Sequence, residues 1–178
     1  MARFFLDDVW YFITVPTTDH EPIFYDLQSR GVLLEQLIRG LDRFDLKKHH
    51  FSIMSDHYHL LIDVREGLVV PKLLNYVNGG ASFQLRLNRP ATIWGKYHLY
   101  IPPTEEVLGR VTGYVVGNPM KHGDVGTFDE LYSWPFSSFA LLVGQVGGEQ
   151  AEEMVSSTIP LEDFDFSLSA QPLQGRRD

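Results

Sequence analysis

Cysteine is absent from the 178-residue chain. That excludes disulfides and thiolate-bound metals, and it fits a reducing cytoplasm, where the protein is expected. No run of 18 apolar residues occurs, so no membrane span is expected. The opening MARFFLDDVWYF lacks the charged segment and long apolar stretch of a secretion signal. Positive charge is also scarce: 15 Lys and Arg stand against 23 Asp and Glu, a net charge of −8. The excess is uneven, because residues 149–178 hold seven acids and two arginines, a net of −5, which leaves the first 148 residues near balance at −3. An acidic chain counts against broad, phosphate-driven nucleic-acid binding, although a local basic patch acts at short range. What is abundant is core material: 44% of residues are hydrophobic and 13% aromatic, enough for one folded domain.

The apolar pattern sorts the chain into elements. Residues 9–15, VWYFITV, are β-branched and aromatic and end at Pro16, which reads as a strand buried on both faces or nearly so. Phe24, Leu27, Leu34, Leu37, Ile38, Leu41 and Phe44 recur at helical spacing, predicting a helix over 24–44. Residues 71–88 read as a second helix that Gly79-Gly80 kinks or splits, and residues 94–101 as a strand closed by Pro102-Pro103. Thr104 followed by Glu105-Glu106 gives an N-cap and an acidic first turn for a third helix. The Asn118-Pro119 pair is expected to stop it, because the residue before proline avoids helical backbone. Gly109, Gly113 and Gly117 form a flat stripe along this helix, suited to lying close against a sheet or nucleic acid. From Gly144 onward the composition predicts an acidic, partly ordered tail, with 159–166 as a short ordered piece, after a body spanning 1–143.

Between the first two helices lies DLKKHHFSIMSDHYHLLIDV, residues 45–64, two apolar runs parted by Ser55-Asp56. This reads as a β-hairpin. In its second strand Tyr58, Leu60, Ile62 and Val64 share one face and His57, His59, Leu61 and Asp63 the other. The apolar set marks the buried face, and two imidazoles then stand side by side on the opposite one, close enough to reach one metal ion. A His-x-His strand is also simply two half-exposed histidines, and this stretch alone does not choose between them. The order strand, helix, strand, strand, helix, strand predicts an α+β, ferredoxin-like fold: a four-stranded antiparallel sheet with both helices on one face and the imidazoles on the other.

The residues also meet a known family. Met54-Ser55-Asp56-His57-Tyr58-His59-Leu60-Leu61 resembles the Met-Pro-Asn-His-x-His-Leu-Leu strand of the REP-associated tyrosine transposases, members of the single-strand DNA transposase group with a His-hydrophobe-His motif. Tyr114-Val115-Val116-Gly117-Asn118-Pro119-Met120-Lys121-His122-Gly123 resembles their Tyr-(Ile/Val)-x-x-Asn-Pro-Val-(Lys/Arg)-x-Gly segment, and Trp134–Ser138 their aromatic-Pro-x-Ser-Ser turn. The likeness covers roughly residues 5 to 140, and the order and spacing of its pieces make it specific. Ser55-Asp56 replaces Pro-Asn before the first histidine. The resemblance implies a metal pair on the sheet face and a tyrosine-bearing helix packed over it. It implies a metal-dependent endonuclease and transposase acting on single-stranded or hairpin DNA, with Tyr114 as nucleophile.

The chemistry is consistent with these residue types. A divalent cation held by His57, His59 and an Asn118 oxygen would neutralise charge on phosphorus; Mg²⁺ or Mn²⁺ suits mixed imidazole and oxygen ligands, and Zn²⁺ fits the histidines. Tyr114 would attack and leave a 5′-phosphotyrosine with a free 3′-OH, a bond that conserves the energy needed for rejoining. Lys121, Arg110 and Arg86 are candidate DNA-phosphate contacts, though each is equally a solvated cation. No small-molecule cofactor is expected, and monomer and homodimer both stay open. Two other classes fit the same pattern: a non-catalytic module stacking bases on an open sheet face through aromatics such as Tyr97, and a histidine-metal phosphoesterase that does not need Tyr114.

Overall fold

The computed structural model describes residues 5–85 and 93–158. Strand β1 (Val9–Pro16) leads through a 3₁₀ turn (Thr18–His20) to helix α1 (Leu27–Arg43). Strands β2 (His49–Ile53) and β3 (His57–Val64) follow, then helix α2 (Val69–Gln84) and the short strand β4 (His98–Tyr100). Helices α3 (Glu105–Lys121), α4 (Phe128–Ser133), α5 (Phe139–Val146) and α6 (Gly148–Ser156) complete the order. The four strands form one antiparallel sheet in the order β2-β3-β1-β4, the expected ferredoxin-like arrangement.

Alternation divides the sheet as read from the sequence. Tyr11, Ile13 and Val15 of β1 join Tyr58, Leu60, Ile62 and Val64 of β3 in a core closed by Leu33, Leu37 and Leu41 of α1 and Leu73, Leu74 and Val77 of α2. Each such side chain, withdrawn from water, contributes about 1.5–3 kcal/mol before entropy is counted. Helix α1 starts where Asp26 accepts the Ser29 N–H at 2.6 Å, a capping bond. Helix α2 runs through Gly79-Gly80 to Gln84 without a split, and the Gln36 side chain of α1 fills the space over Gly80. The last residues of the expected 71–88 helix lie outside the described residues.

The opposite face is not open. Phe12 and Leu61 pack there against Val111, Tyr114 and Val115 of α3, so the stacking platform considered for a non-catalytic module is covered. Tyr97 packs beside the other core. Helix α3 does not end at Asn118-Pro119; it continues through Pro119 to Lys121 and stops at Gly123, whose φ of 75° is the left-handed conformation favoured after a helix end. Proline lacks an N–H and disfavours helix before it, yet Ser137 donates its hydroxyl to the Val116 carbonyl at 2.7 Å and ties down this turn. The Trp134–Ser138 segment also meets the free edge of β2: Ile53 N–H donates to Phe136 O, and Ser138 N–H to Phe51 O.

The glycine stripe of α3 receives α6 rather than the sheet. A Cβ at Gly113 would collide with the Met154 carbonyl, and one at Gly117 would lie 2.6 Å from Val155 Cγ1. Ordered structure thus reaches past the boundary expected at residue 144, with α5 crossing it and α6 beyond it, while the piece expected at 159–166 lies outside the described residues.

Candidate nuclease site

Three sheet positions stand in register: Thr14 of β1 pairs with His59 of β3 on one side and His98 of β4 on the other. Two residues back along β3, His57 pairs with Pro16. Helix α3 crosses above and brings Tyr114 and His122 to the same place. The result is a cavity of about 430 Å³ lined by Thr14, His20, Asp56, His57, His59, His98, Tyr114 and His122. Five of the chain's seven histidines therefore face one small space. A larger cavity lies elsewhere, around Lys47, Lys48, Asp63 and Arg65, and contains none of these groups.

His59 is the most enclosed of the set, 3% exposed. Its ring lies 5.3 Å from Phe12 and 5.4 Å from Tyr114, centroid to centroid. Its Nδ1 shares a hydrogen bond of 3.0 Å with Thr14 Oγ1, and its Nε2 is buried without a partner. Burial first, then the neighbouring His57, His122 and Lys121, holds its pKa well below the ordinary histidine value, so it is a neutral imidazole. His57 lies 4.8 Å from His59 between ring centroids and 5.1 Å from His122. Its Nδ1 meets Asp56 Oδ1 at 2.6 Å. The hydrogen bond from His57, outweighing partial burial, lowers the Asp56 carboxyl to about 2, so this group is a carboxylate at working pH. The two imidazoles are thus on the expected face, but they are enclosed rather than solvent-open.

Tyr114 is 4% exposed and stands edge-on to Phe12 at 5.9 Å. One turn on, Asn118 donates its side-chain N–H to the Tyr114 carbonyl at 3.1 Å, which leaves Asn118 Oδ1 buried and without a partner. Two orphaned acceptors, an imidazole nitrogen and an amide oxygen, are the donor types a divalent cation with mixed ligands takes. His57, His59 and Asn118 fit such an ion chemically, although among the described residues no three His, Asp or Glu side chains already stand together as a ligand cluster.

The other expected residues divide. Lys121 sits above the Tyr114 ring, its Nζ 5.0 Å from the centroid. Arg110 is an exposed residue one turn before Tyr114 and does not line the cavity. Arg86 lies outside the described residues. Sequence reasoning missed His20, His98, His122 and Asp56 as members of the site. The signal for His98 was its alternation with Tyr100 in a strand; for His122 it was a spacing of eight from Tyr114, hidden by ending the helix four residues early.

Comparison with known proteins bears on this site. The family model described as "Transposase IS200 like" matches residues 7–101. The chain resembles the solved structure of a REP-associated tyrosine transposase bound to a REP hairpin, with a TM-score of 0.67 and 18% identity over 82% of this chain and 85% of that one. A transposase candidate from Deinococcus radiodurans R1 aligns with a TM-score of 0.44 and 18% identity over 64% of this chain and 93% of that one. No curated protein matches.

Proposed function

Since the chain belongs to the IS200-like transposase family, we propose that it is a single-strand DNA endonuclease and transposase that cuts and rejoins through Tyr114. The observation that carries this is the 5.4 Å separation of the Tyr114 and His59 ring centroids within one cavity.

In this reading the phenol oxygen of Tyr114 attacks phosphorus and displaces the 3′ oxygen. The products are a 5′-phosphotyrosine and a free 3′-OH, and attack by a 3′-OH on the same phosphorus reverses the step. Phe12 and the α3 backbone fix the ring, which converts an encounter into a positioned approach. The phenol proton leaves into a space lined by imidazoles. Lys121 places positive charge beside the ring, where it stabilises the negative charge that develops on the attacking oxygen. His57, His59 and the Asn118 amide oxygen would hold a divalent cation, Mg²⁺ or Mn²⁺, whose contribution is to neutralise charge on the scissile phosphate. Single-stranded DNA carrying a hairpin repeat is the proposed substrate; the fold neighbour bound to a REP hairpin makes that probe the natural first choice.

The experiment incubates the full chain with labelled hairpin-bearing single strands and Mn²⁺, followed by a denaturing gel. A protein–DNA adduct that vanishes with Tyr114→Phe supports the proposal. Cleavage without adduct, surviving that substitution, would replace it with a phosphoesterase reading, and binding without cleavage with a non-catalytic one.

A further inference from the structure

The hairpin turn that leads into His57 carries a residue with two imidazole partners. Asp56 Oδ1 meets His57 Nδ1 at 2.6 Å, and Asp56 Oδ2 meets His20 Nδ1 at 2.9 Å. Each carboxylate oxygen is thus committed to a different ring. The backbone of the turn is held as firmly. Thr17 donates its N–H to the Asp56 carbonyl at 2.7 Å, its hydroxyl lies between the Glu21 and Asp56 carbonyls at 2.7 and 2.9 Å, and Phe24 N–H donates to Ser55 O at 2.8 Å. The segment between β1 and α1 therefore clasps the turn from outside.

That segment is unusual in itself. Asp19 and His20 follow one another with φ of 54° and 53°, both in the left-handed region that non-glycine residues avoid. The 3₁₀ turn they belong to buries no residue. What the backbone shape accomplishes is to bring the His20 ring, 72% exposed, against Asp56. An ion pair so open to solvent adds little stability. The turn buries none of its own three residues and ends on a ring bonded to the carboxylate that holds His57, which ties it to the site.

We propose that Asp56 is a positioning residue for His57, with His20 as its outer anchor. The carboxylate accepts a hydrogen bond from His57 Nδ1–H, which fixes the proton on that nitrogen and leaves the Nε2 lone pair directed at the cavity. His20 holds the second oxygen, so that the carboxylate cannot turn away. The assignment rests on the reading of His57 as a metal-holding residue, and it goes beyond it, since neutral imidazole otherwise exchanges between two tautomers of which only one presents Nε2 as a donor to metal. It also gives a role to the carboxylate that stands where the resembled strand motif carries asparagine.

The test reads the tautomer directly. Ring ¹⁵N shifts of His57 in the metal-free full chain at pH 8 should report Nδ1–H in the wild type. In Asp56→Ala the Nε2–H form should become a major population, and Asp56→Asn, whose amide oxygen still accepts, should hold Nδ1–H. His20→Ala should give an intermediate population. Calorimetry with Mn²⁺ forms the second arm: Asp56→Ala should weaken binding about 10- to 100-fold, and Asp56→Asn should recover part of the loss. A wild-type His57 protonated on Nε2, or a tautomer unmoved by Asp56→Ala, overturns the positioning role. Mn²⁺ binding by His57→Ala equal to wild type would instead overturn the metal reading beneath it, whatever the tautomer.

Discussion

Lys121 holds its ammonium 5.0 Å above the centre of the Tyr114 ring, seven residues along the same helix and with a proline between them. The contact exists because α3 does not break at Pro119. A cation over an aromatic face is worth about 0.5–2 kcal/mol, rising as water is excluded. Applied to the attacking group, that range predicts a loss of roughly 2- to 30-fold in adduct formation for Lys121→Met. Single-turnover kinetics with hairpin DNA check it, and Lys121→Arg should retain most of the rate.

Tyr114→Phe is expected to abolish the covalent adduct while leaving hairpin affinity within about twofold, since only the phenolic oxygen is lost and the ring contacts with Phe12 and His59 survive. Adduct at the wild-type level in this variant would remove Tyr114 from the mechanism.

The two strand histidines should separate in stability though not in activity. Both His57→Ala and His59→Ala are expected to lose Mn²⁺-dependent nicking. His59, 3% exposed and packed on Phe12 and Tyr114, leaves a cavity when truncated, a cost of about 1–3 kcal/mol, whereas His57→Ala stays closer to wild type. Urea titrations of both variants measure the difference.

Acid should weaken the fold through buried histidines. His50 is buried with its Nδ1 3.3 Å from Ser138 Oγ, and burial, with the adjacent His49 adding to it, lowers its pKa from 6.5 to about 4. Because the unfolded chain takes up this proton at higher pH than the folded one, the stability is fully present above about 6.5 and is lost as pH falls to about 4. For His50 alone the loss is about 3 kcal/mol. His59, shifted the same way, adds to it. Thermal melts from pH 7 to 4 should show the decline, and His50→Gln should flatten it.

Gly113→Ala is expected to destabilise by about 1–3 kcal/mol, since its methyl group meets the backbone carbonyl of Met154 rather than a side chain able to turn aside. Gly109→Ala, with open space at its Cβ, should instead stabilise slightly through helix propensity. Paired melting curves measure the difference.

The sheet was legible because its signal is periodic. Alternation along residues 57–64 assigned both imidazoles to the face opposite the main core, and the helical spacing of Tyr114 and Asn118 put them on one side of α3. What could not be read came from tertiary support. The rule against helix before proline failed at Asn118, in a turn buried on all sides, where Ser137, from 21 residues away, donates to the Val116 carbonyl. Ending the helix early hid His122, and it hid that Lys121, read as a phosphate contact, also lies over the Tyr114 ring. His20 was invisible for a different reason: its place depends on two left-handed residues in a loop whose composition, Thr-Thr-Asp-His-Glu-Pro, signals only a turn. The covering of the second sheet face followed from the family resemblance and not from any pattern in the chain.

Helix α3 is gripped from both sides, by Phe12 and Leu61 of the sheet beneath and by α6 seated in its glycine notch above. That packing favours a fixed position for Tyr114. Under the proposed reaction, once an end is joined to Tyr114, exchange of partners is then expected to come from travel of the nucleic acid across the site, with the protein acting as a vice rather than an arm.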